Sequence, residues 1–209
     1  YTDEEYFASG VPVMQDISQS DIILGVKEVP IKDLMPHKKY FFFSHTIKKQ
    51  AHNRKLLQAI LQRNITLIDY ETLVDDHGGR LIAFGKYAGI VGAHNGLWTY
   101  GQRTGLFDWP RLKDLHDFEQ ARTIYHQTTL PPVKIVLTGS GRVAYGAISA
   151  LKDMNIQEVS PLEFLKQEDF ETAVFTHLTS ADYVKHKDNK IFVKKDFYQN
   201  PQDYVSIFK

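Results

Sequence analysis

Two strand-like segments near the start of the chain each end beside a side chain that can exchange protons. Residues 22–26 are followed by Lys27, and residues 40–44 are followed by His45. Both segments are apolar, β-favouring runs of the length of a buried parallel strand. Because open α/β sheets bind ligands outside the carboxyl ends of their strands, we expect Lys27 and His45 to lie together at one such edge. A lysine and a histidine in that position predict acid–base chemistry.

Each of these residues taken singly has a plainer interpretation. A lone lysine after a strand is usually a solvated surface charge, and a lone histidine is more often structural than catalytic. Lys48 could pair with a substrate carboxylate. Glu28 and Glu71 could set the pKa values of the two bases. Surface ion pairs explain these last three residues equally well. The equivalent strand-terminal positions of Lys27 and His45 are therefore what favours a functional site.

A glycine-rich turn at residues 139–144 is the second candidate site. Gly139, Gly141 and Ala144 match the pattern G-x-G-x-x-G/A, directly after a predicted strand and at the start of a predicted helix. The first glycine allows a tight turn, the second allows a pyrophosphate to approach the backbone, and the alanine allows the helix to pack on the strand. An ordinary glycine-rich turn is the alternative. The predicted cofactor-binding residues are Gly139, Ser140, Gly141, Arg142 and Val143.

The choice between NAD and NADP depends on the end of the next predicted strand. An acidic residue there hydrogen-bonds a free ribose and repels a 2′-phosphate. Glu158 falls inside the predicted strand at residues 156–159, which leaves Ser160 at its tip. A serine accepts either nucleotide, so the sequence leaves NADP or NAD open and favours NADP only slightly.

The composition excludes several classes of function. Lys+Arg and Asp+Glu both number 25, so nothing attracts the chain to nucleic acid or to an anionic membrane. The absence of cysteine excludes disulfides and thiolate metal sites, and the 9 histidines show no zinc-like spacing. No apolar run approaches the length of about 20 residues that a membrane helix needs. We therefore expect a cytoplasmic protein with no metal site and with neither nucleic acid nor membrane as a partner.

The elements that must position these residues alternate between strand and helix, which predicts a parallel sheet. Helices are predicted at residues 3–8, 53–63, 87–103, 116–125, 143–154 and 162–165. Strands are predicted at residues 11–14, 22–26, 40–44, 65–69, 80–84, 135–138, 156–159 and 172–176. The predicted buried stripe of the second helix consists of Leu56, Leu57, Ile60 and Leu61. The third helix has small residues on one face, which favours tight helix packing, at Gly89, Gly92, Ala93 and Gly96.

The fold class that follows is α/β, with two domains joined at the stiff linker Pro131-Pro132. Residues 1–130 are predicted to form a substrate-binding domain with a parallel sheet, incomplete at its N-terminal side. Residues 131–209 are predicted to form part of a Rossmann-like dinucleotide-binding domain.

Several segments of the chain carry a resemblance to a known family. They read GVKEVP at residues 25–30, FFSHTIK at 42–48, LIDYE at 67–71 and AFGKYAGIVG at 83–92. The turn IVLTGSGRV at residues 135–143 and the segment YQNPQDYVSIF at 198–208 continue the series. In this order they resemble the saccharopine dehydrogenase family, most closely its lysine–ketoglutarate reductase branch, with alanine dehydrogenase and transhydrogenase as wider relatives.

The resemblance implies a two-domain α/β oxidoreductase that uses NADP or NAD. It implies that hydride transfer to or from an imine interconverts saccharopine with lysine and 2-oxoglutarate, so the expected partners are an amino acid and an oxoacid. It implies that Lys27 and His45 are the acid–base pair and that Lys48, Glu28 and Glu71 belong to the same site.

Two departures from the family shape the remaining expectations. Relative to the family pattern, we expect an early segment and the late part of the nucleotide domain to be missing, so the chain is expected to be a fragment that is inactive alone, or else an unusually short member of the family. The other hypotheses are a non-catalytic remnant that binds nucleotide or assembles with a partner, and a related opine or amino-acid dehydrogenase with another substrate.

Overall fold

The computed structural model describes residues 1–208, which fall into two compact units that divide between residues 83 and 84. The first unit contains α1 (Asp3–Ala8), β1 (Ile22–Lys27), β2 (Lys39–Phe43), α2 (Arg54–Gln62) and β3 (Thr66–Asp69). The second contains α3 (Gly85–Thr104), α4 (Phe118–Gln127), β4 (Lys134–Thr138), α5 (Arg142–Asp153), β5 (Gln157–Glu158), α6 (Pro161–Lys166), β6 (Val174–Leu178), α7 (Ser180–Tyr183), β7 (Val184–His186), α8 (Lys194–Gln199) and β8 (Tyr204–Ser206). The main sheet of each unit is parallel, which confirms the predicted α/β class.

The first unit is a parallel sheet in the order β1-β2-β3 with α2 packed on one face. Successive side chains of a strand point to opposite faces, so Tyr40 and Phe42 of β2 face the helix together. Both are fully buried against Leu56 and Ile60 of α2. Because the strands are parallel, their carboxyl ends and the loops that follow them lie at one edge of the sheet.

The buried stripe of α2 is narrower than the sequence predicts. Leu56 and Ile60 are buried, but Leu57 is 40% exposed and Leu61 is 68% exposed. The helix contacts a single sheet face, so residues one turn apart are covered while their neighbours point outward. Ala59 completes the buried stripe.

Two predicted strands, at residues 11–14 and 80–84, do not form. Residues 11–14 pair with no strand among residues 1–208, and Pro12 within them has no N–H to donate to a ladder. In the later segment only Arg80 pairs, in an isolated bridge with Val74, and α3 begins at Gly85. A β-favouring composition does not by itself produce a strand where no neighbouring strand supplies hydrogen-bond partners.

The second unit has its main sheet in the order β4-β6-β5. In the doubly wound dinucleotide fold the second strand lies beside the first. Here β6 pairs with β4 along its whole length and separates it from β5, which is only 2 residues long. The glycine turn after β4 therefore lies beside the end of β6, and the order of these three strands differs from that of the doubly wound fold.

Helix α3 packs closely against α5 through glycine. A Cβ atom built on Gly89 would lie 1.9 Å from the carbonyl oxygen of Val143, and one on Gly146 would lie 2.0 Å from that of Lys86. Tight packing thus explains Gly89. Gly92 and Gly96 have open space around them instead and line a cavity of about 550 Å³ beside β4.

The compact units divide before α3, and the predicted linker at residues 131–132 lies inside the second unit. The packing of α3 against α5 explains this division, because it ties the helix to the unit that holds the glycine turn. The assignment of residues 1–130 to substrate binding and 131–209 to nucleotide binding concerns function and stays a prediction.

A buried histidine joins α3 to α4 and to the segment between them. His94 is fully buried and stacks on Trp109, with ring centroids 5.5 Å apart. Its Nε2 lies 2.9 Å from the carbonyl oxygen of Pro110, and its Nδ1 lies 2.7 Å from the Tyr125 hydroxyl. A carbonyl oxygen only accepts, so Nε2 carries the proton and Nδ1 accepts from tyrosine. Burial lowers the pKa of His94 and raises the pKa of Tyr125.

We expect the stability of the protein to fall in mild acid because of His94. Its pKa in the folded state is depressed below the ordinary value of 6.5, so below that pH the unfolded chain binds the proton more readily. Neutral His94 makes its full contribution to the free energy of unfolding above pH 6.5. This contribution is lost as the pH falls below 6.5 toward the lower pKa of the folded state. Urea unfolding at about pH 7.5 and about pH 5 measures the effect.

The control for this prediction is the variant His94→Gln, which removes the titrating group. The loss of unfolding free energy in acid should be smaller in this variant than in the parent chain. Equal losses in both proteins would show that other groups cause the acid sensitivity.

Candidate active site

The residues predicted for acid–base chemistry follow adjacent parallel strands. Lys27 ends β1 and its Cα pairs with that of Phe43, which ends β2. The ladder is irregular between Leu24 and Lys27, so this pairing places the Lys27 backbone beside Phe43. The Phe43 ring stacks on His45, with centroids 6.5 Å apart and an interplanar angle of 25°. Lys27 and His45 therefore both neighbour Phe43 at the carboxyl edge of the sheet.

The loop that follows β2 has an unusual backbone conformation at His45. This residue has a φ of 56° and lies in the left-handed region, which histidine tolerates better than branched residues do. Asn53 helps to hold the turn, since its Nδ2 donates to the His45 carbonyl oxygen at 3.3 Å. The conformation turns the imidazole toward the loop that follows β3.

The imidazole meets two charged side chains that the sequence places in the same candidate site. His45 Nδ1 lies 3.0 Å from Glu71 Oε2, and Lys48 Nζ lies 3.3 Å from Glu71 Oε1. The Glu71 side chain is only 3% exposed, whereas the His45 side chain is 31% exposed. A buried carboxylate thus faces two nitrogen groups that remain open to solvent.

The contacts of Nδ1 determine which nitrogen of His45 is available for chemistry. Lys48 Nζ lies 3.1 Å from Nδ1, but an ammonium and an N–H both only donate. Because the Glu71 carboxylate accepts, Nδ1 carries a proton directed at Glu71, and the Lys48 ammonium bonds the other carboxylate oxygen. Nε2 makes no hydrogen bond with residues 1–208. It is therefore the ring nitrogen that is left without a partner among these residues.

Lys27 and Glu28 lie outside this cluster. Both side chains are exposed, and neither forms an ion pair or hydrogen bond with any residue from 1 to 208. The structure therefore brings together His45, Lys48 and Glu71, and it places Lys27 at the same sheet edge without a contact.

Buried polar residues that the sequence analysis missed support the loops of the cluster. Ser44 and Asp69 are buried beside His45 and Glu71, and the Ser44 hydroxyl donates to the Asp69 carboxylate. Asp69 is the last residue of β3, and this strand-terminal position, like those of Lys27 and His45, is the signal for it in the sequence.

The glycine turn after β4 has the features that the dinucleotide-binding pattern requires. Gly139 has a φ of 118°, which side chains rarely adopt, and a Cβ there would lie 3.4 Å from the Cβ of Ala144. Gly141 has an ordinary φ of −113°, and a Cβ there would meet nothing within 4 Å. The space above Gly141 is therefore open to a ligand. Arg142 and Val143 form the exposed first turn of α5.

Residues from the end of β6 and from α8 surround this turn. The His177 Nε2 donates to the Gly139 carbonyl oxygen, and the Gly139 N–H donates to the Leu178 carbonyl oxygen at 2.9 Å. Lys194 Nζ donates to Ser140 Oγ at 2.8 Å. A cavity of about 290 Å³ at this place is lined by Ser140, Thr179, Ser180, Ala181, Phe192 and Lys194. Lys194 thus adds a cation that the sequence pattern did not reveal.

The residues expected to select the nucleotide lie away from the glycine turn. Glu158 is the last residue of β5 and pairs with Lys152 at 2.8 Å, and Ser160 caps α6 by accepting from the Glu163 N–H. Because β6 separates β5 from β4, the tip of β5 is not adjacent to the turn. Thr179, directly after β6, occupies the adjacent position.

Metal-ligand clusters and membrane-spanning helices are both absent from residues 1–208. Residues 1–208 contain no group of three or more histidine, aspartate or glutamate side chains arranged to hold a metal ion. None of their helices has the length and apolar character required to cross a bilayer.

Comparison with known proteins identifies relatives of both parts of the chain. Residues 1–91 match the family "Alanine dehydrogenase/PNT, N-terminal domain". "Alpha-aminoadipic semialdehyde synthase, mitochondrial" of Rattus norvegicus is 32% identical over 99% of this chain and 24% of its own length. "Saccharopine dehydrogenase [NAD(+), L-lysine-forming]" of Candida glabrata is 33% identical over 77% of this chain and 46% of its own length. This chain therefore spans about a quarter to a half of these relatives.

A solved structure of an L-alanine dehydrogenase aligns with 87% of this chain and 49% of its own, at a TM-score of 0.49 and 14% sequence identity. The sequence relatives bear out the resemblance to the saccharopine dehydrogenase family and support an oxidoreductase family for the chain. The chain is homologous to the alpha-aminoadipic semialdehyde synthases and saccharopine dehydrogenases over most of its length, and its residues 1–91 match the alanine dehydrogenase/PNT N-terminal domain family.

Proposed function

We propose that this chain is part of an NAD(P)-dependent oxidoreductase that interconverts saccharopine with lysine and 2-oxoglutarate. The observation that carries the proposal is the cluster of His45, Lys48 and Glu71 at the carboxyl edge of the first sheet, beside Lys27. The name of the Candida glabrata relative supports the same reaction. The proposed partners are accordingly an amino acid and an oxoacid.

The proposed reaction makes distinct demands on acid–base groups. In the oxidative direction an amine becomes an imine, and water then adds to the imine carbon before the carbon–nitrogen bond breaks. One group must take a proton from the attacking water, and one must give a proton to the departing nitrogen. The reverse direction uses the same groups with opposite protonation.

His45 is suited to the proton transfers because its Nε2 has no hydrogen-bond partner among residues 1–208 and because Glu71 orients its ring. Glu71 accepts from Nδ1–H, which fixes the tautomer and stabilises the imidazolium once Nε2 has taken a proton. Lys27, at the same sheet edge, is the second acid–base group in the proposal. Lys48 offers an ammonium that is 46% exposed to a substrate carboxylate, while Glu71 keeps it in position.

The residues proposed to hold the nucleotide are those of the glycine turn and its surroundings. When bound, NAD or NADP supplies or accepts the hydride. The open space at Gly141 and the amide groups at the start of α5 suit a pyrophosphate, and the Lys194 ammonium beside Ser140 adds positive charge. Gly139 maintains the turn because its positive φ needs no Cβ.

Nucleotide preference and location are further proposals. Because the tip of β5, which Ser160 follows, is not adjacent to the glycine turn, Ser160 gives no basis for a preference, and the proposal takes NADP or NAD as the cofactor. The proposed location is the cytoplasm, although the Rattus norvegicus relative is named as mitochondrial.

We expect Gly141→Val to abolish nucleotide binding without unfolding the chain. Its φ of −113° suits any residue and its Cβ would meet no protein atom within 4 Å, so the fold tolerates the side chain. The valine would instead fill the space through which a pyrophosphate approaches the backbone. Calorimetric titration of the purified chain with NADPH and NADH measures the binding, and urea unfolding measures the stability.

Gly139→Ala serves as the contrasting variant. At a φ of 118° the alanine is strained, so this change should lower the unfolding free energy, whereas Gly141→Val should not. Unchanged nucleotide affinity in folded Gly141→Val would remove the cofactor assignment from this turn.

The test of the reaction is an assay of the longest polypeptide that the reading frame encodes. Oxidation of NADPH or NADH should require lysine and 2-oxoglutarate together. Nucleotide oxidation with a different amine or oxoacid, and none with this pair, would replace the proposed substrates.

A further inference from the structure

Asp69 is a buried carboxylate to which the proposed mechanism assigns no proton transfer. It ends β3, is only 6% exposed, and forms no ion pair with any residue from 1 to 208. A buried carboxylate without a cation is unfavourable unless its oxygens accept hydrogen bonds. The groups that donate hydrogen bonds to the Asp69 carboxylate therefore indicate its structural role.

The donors to Asp69 come from the loops on either side of the candidate site. Oδ1 accepts the Glu71 N–H at 2.9 Å and the Ser44 N–H at 3.4 Å. Oδ2 accepts the Ser44 hydroxyl. One carboxylate thus connects the residue before His45 to the backbone of Glu71.

The contact with Ser44 extends to the far side of His45. The Ser44 hydroxyl has a single hydrogen, which it gives to Asp69, so its oxygen accepts from Thr46. It accepts the Thr46 N–H at 3.1 Å, and it also accepts the Thr46 hydroxyl at 2.8 Å. The residues that flank His45 are both tied to Asp69, directly or through Ser44, and they hold the left-handed backbone between them.

We propose that Asp69 is a positioning residue that keeps His45 in the Nδ1–H tautomer. It fixes both ends of the hydrogen bond from His45 to Glu71, because it anchors the backbone on each side. The free Nε2 is a consequence of this arrangement. A catalytic role for this tautomer rests on the proposed function. The tautomer itself can be observed in the chain whether or not that function holds.

The test is the variant Asp69→Asn, read by imidazole ¹⁵N chemical shifts of His45 at neutral pH. Asparagine keeps the shape but replaces one acceptor oxygen with a donor, so the Ser44 hydroxyl loses its acceptor. We expect the unmodified chain to show His45 predominantly protonated at Nδ1, and the variant to show a mixture of the two tautomers. In the longest encoded polypeptide, kcat should fall by about 10²-fold with a smaller change in KM, since misplacement of a catalytic group by about 1 Å has such an effect.

Asp75→Asn is the matched control. Asp75 lies in the same unit, and its Oδ1 accepts the N–H groups of His77 and Gly79 in an exposed turn. This variant should leave the His45 tautomer unchanged. Ser44→Ala is the second test variant, since it removes the hydroxyl that links Asp69 to Thr46 and retains the carboxylate.

The outcomes separate this proposal from the proposed function. A folded Asp69→Asn chain with an unchanged Nδ1–H tautomer would overturn the positioning role. If Asp69→Asn does not fold, an unchanged tautomer in Ser44→Ala would overturn it, and a mixed tautomer would support it. An altered tautomer in an encoded polypeptide that never oxidises NADPH or NADH would sustain the positioning role and refute the reaction.

Discussion

Replacing His45 by asparagine should lower turnover by about 10²- to 10⁴-fold, the usual contribution of a positioned acid–base group. Asparagine has no group that titrates near neutral pH, so Nε2 is lost as proton acceptor and donor. It also tolerates the left-handed region, so the φ of 56° at this position adds little strain. The nucleotide affinity should be unchanged, because residue 45 lies outside the glycine turn. Steady-state NADPH and NADH oxidation in the longest encoded polypeptide, with calorimetry for affinity, measures both quantities.

The matched control is His52→Asn, the same substitution at an exposed histidine a few residues later. It should retain turnover, because residues 1–208 offer His52 no hydrogen bond or ion pair. Lys27→Met should resemble His45→Asn if both residues serve the same proton transfers. Equal losses of turnover and nucleotide affinity in His45→Asn would indicate a structural role instead.

Replacing Gly89 by alanine should destabilise the second unit by about 3 kcal/mol or more, at the upper end of overpacking effects. The new Cβ would lie 1.9 Å from the Val143 carbonyl oxygen and 2.7 Å from the Ala147 nitrogen. Both are backbone atoms of α5, so no side-chain rotation relieves the clash and the helices must separate. Folded domains are stable by only about 5–15 kcal/mol, so this loss would be visible as a large shift in urea midpoint.

Gly92→Ala is the control because it makes the same substitution in the same helix. A Cβ on Gly92 meets nothing within 4 Å, so the higher helix propensity of alanine should stabilise the chain by up to about 1 kcal/mol. Gly146→Ala should behave like Gly89→Ala, since its Cβ would lie 2.0 Å from the Lys86 carbonyl oxygen. Similar stabilities for Gly89→Ala and Gly92→Ala would contradict the close packing of α3 on α5.

Much of the local structure was predictable from the sequence because its signals are local. The helix predicted at residues 3–8 forms as α1, and the residue before it explains its start, because the Thr2 side chain bonds an early amide and Glu5 completes a capping box. The predicted strands at residues 22–26, 40–44 and 65–69 lie within one residue of β1, β2 and β3. The same patterns failed at residues 11–14 and 80–84, where no neighbouring strand accepts the predicted one.

The candidate site was only partly predictable, because its decisive contact joins distant residues. The sequence placed His45 after a strand, but its hydrogen bond to Glu71 spans 26 positions and depends on a left-handed turn. The anchoring role of Asp69 depends likewise on Ser44, which lies 25 positions away. Loops of this kind are set by the hydrogen bonds that satisfy buried polar groups, and these exist only after the strands have paired.

The sequence by itself determined the parallel α/β class, the strand-terminal positions of Lys27 and His45, and the glycine turn, because apolar periodicity and glycine act within short stretches. Tertiary structure alone decided that β6 pairs between β4 and β5, that Gly89 contacts α5 while Gly92 does not, and that Lys194 reaches Ser140. Apolar strands carry the same pattern whichever neighbour they pair with, and a small residue looks the same whether it faces a helix or a cavity. Their partners are selected by the packing of the whole unit, which no short segment contains.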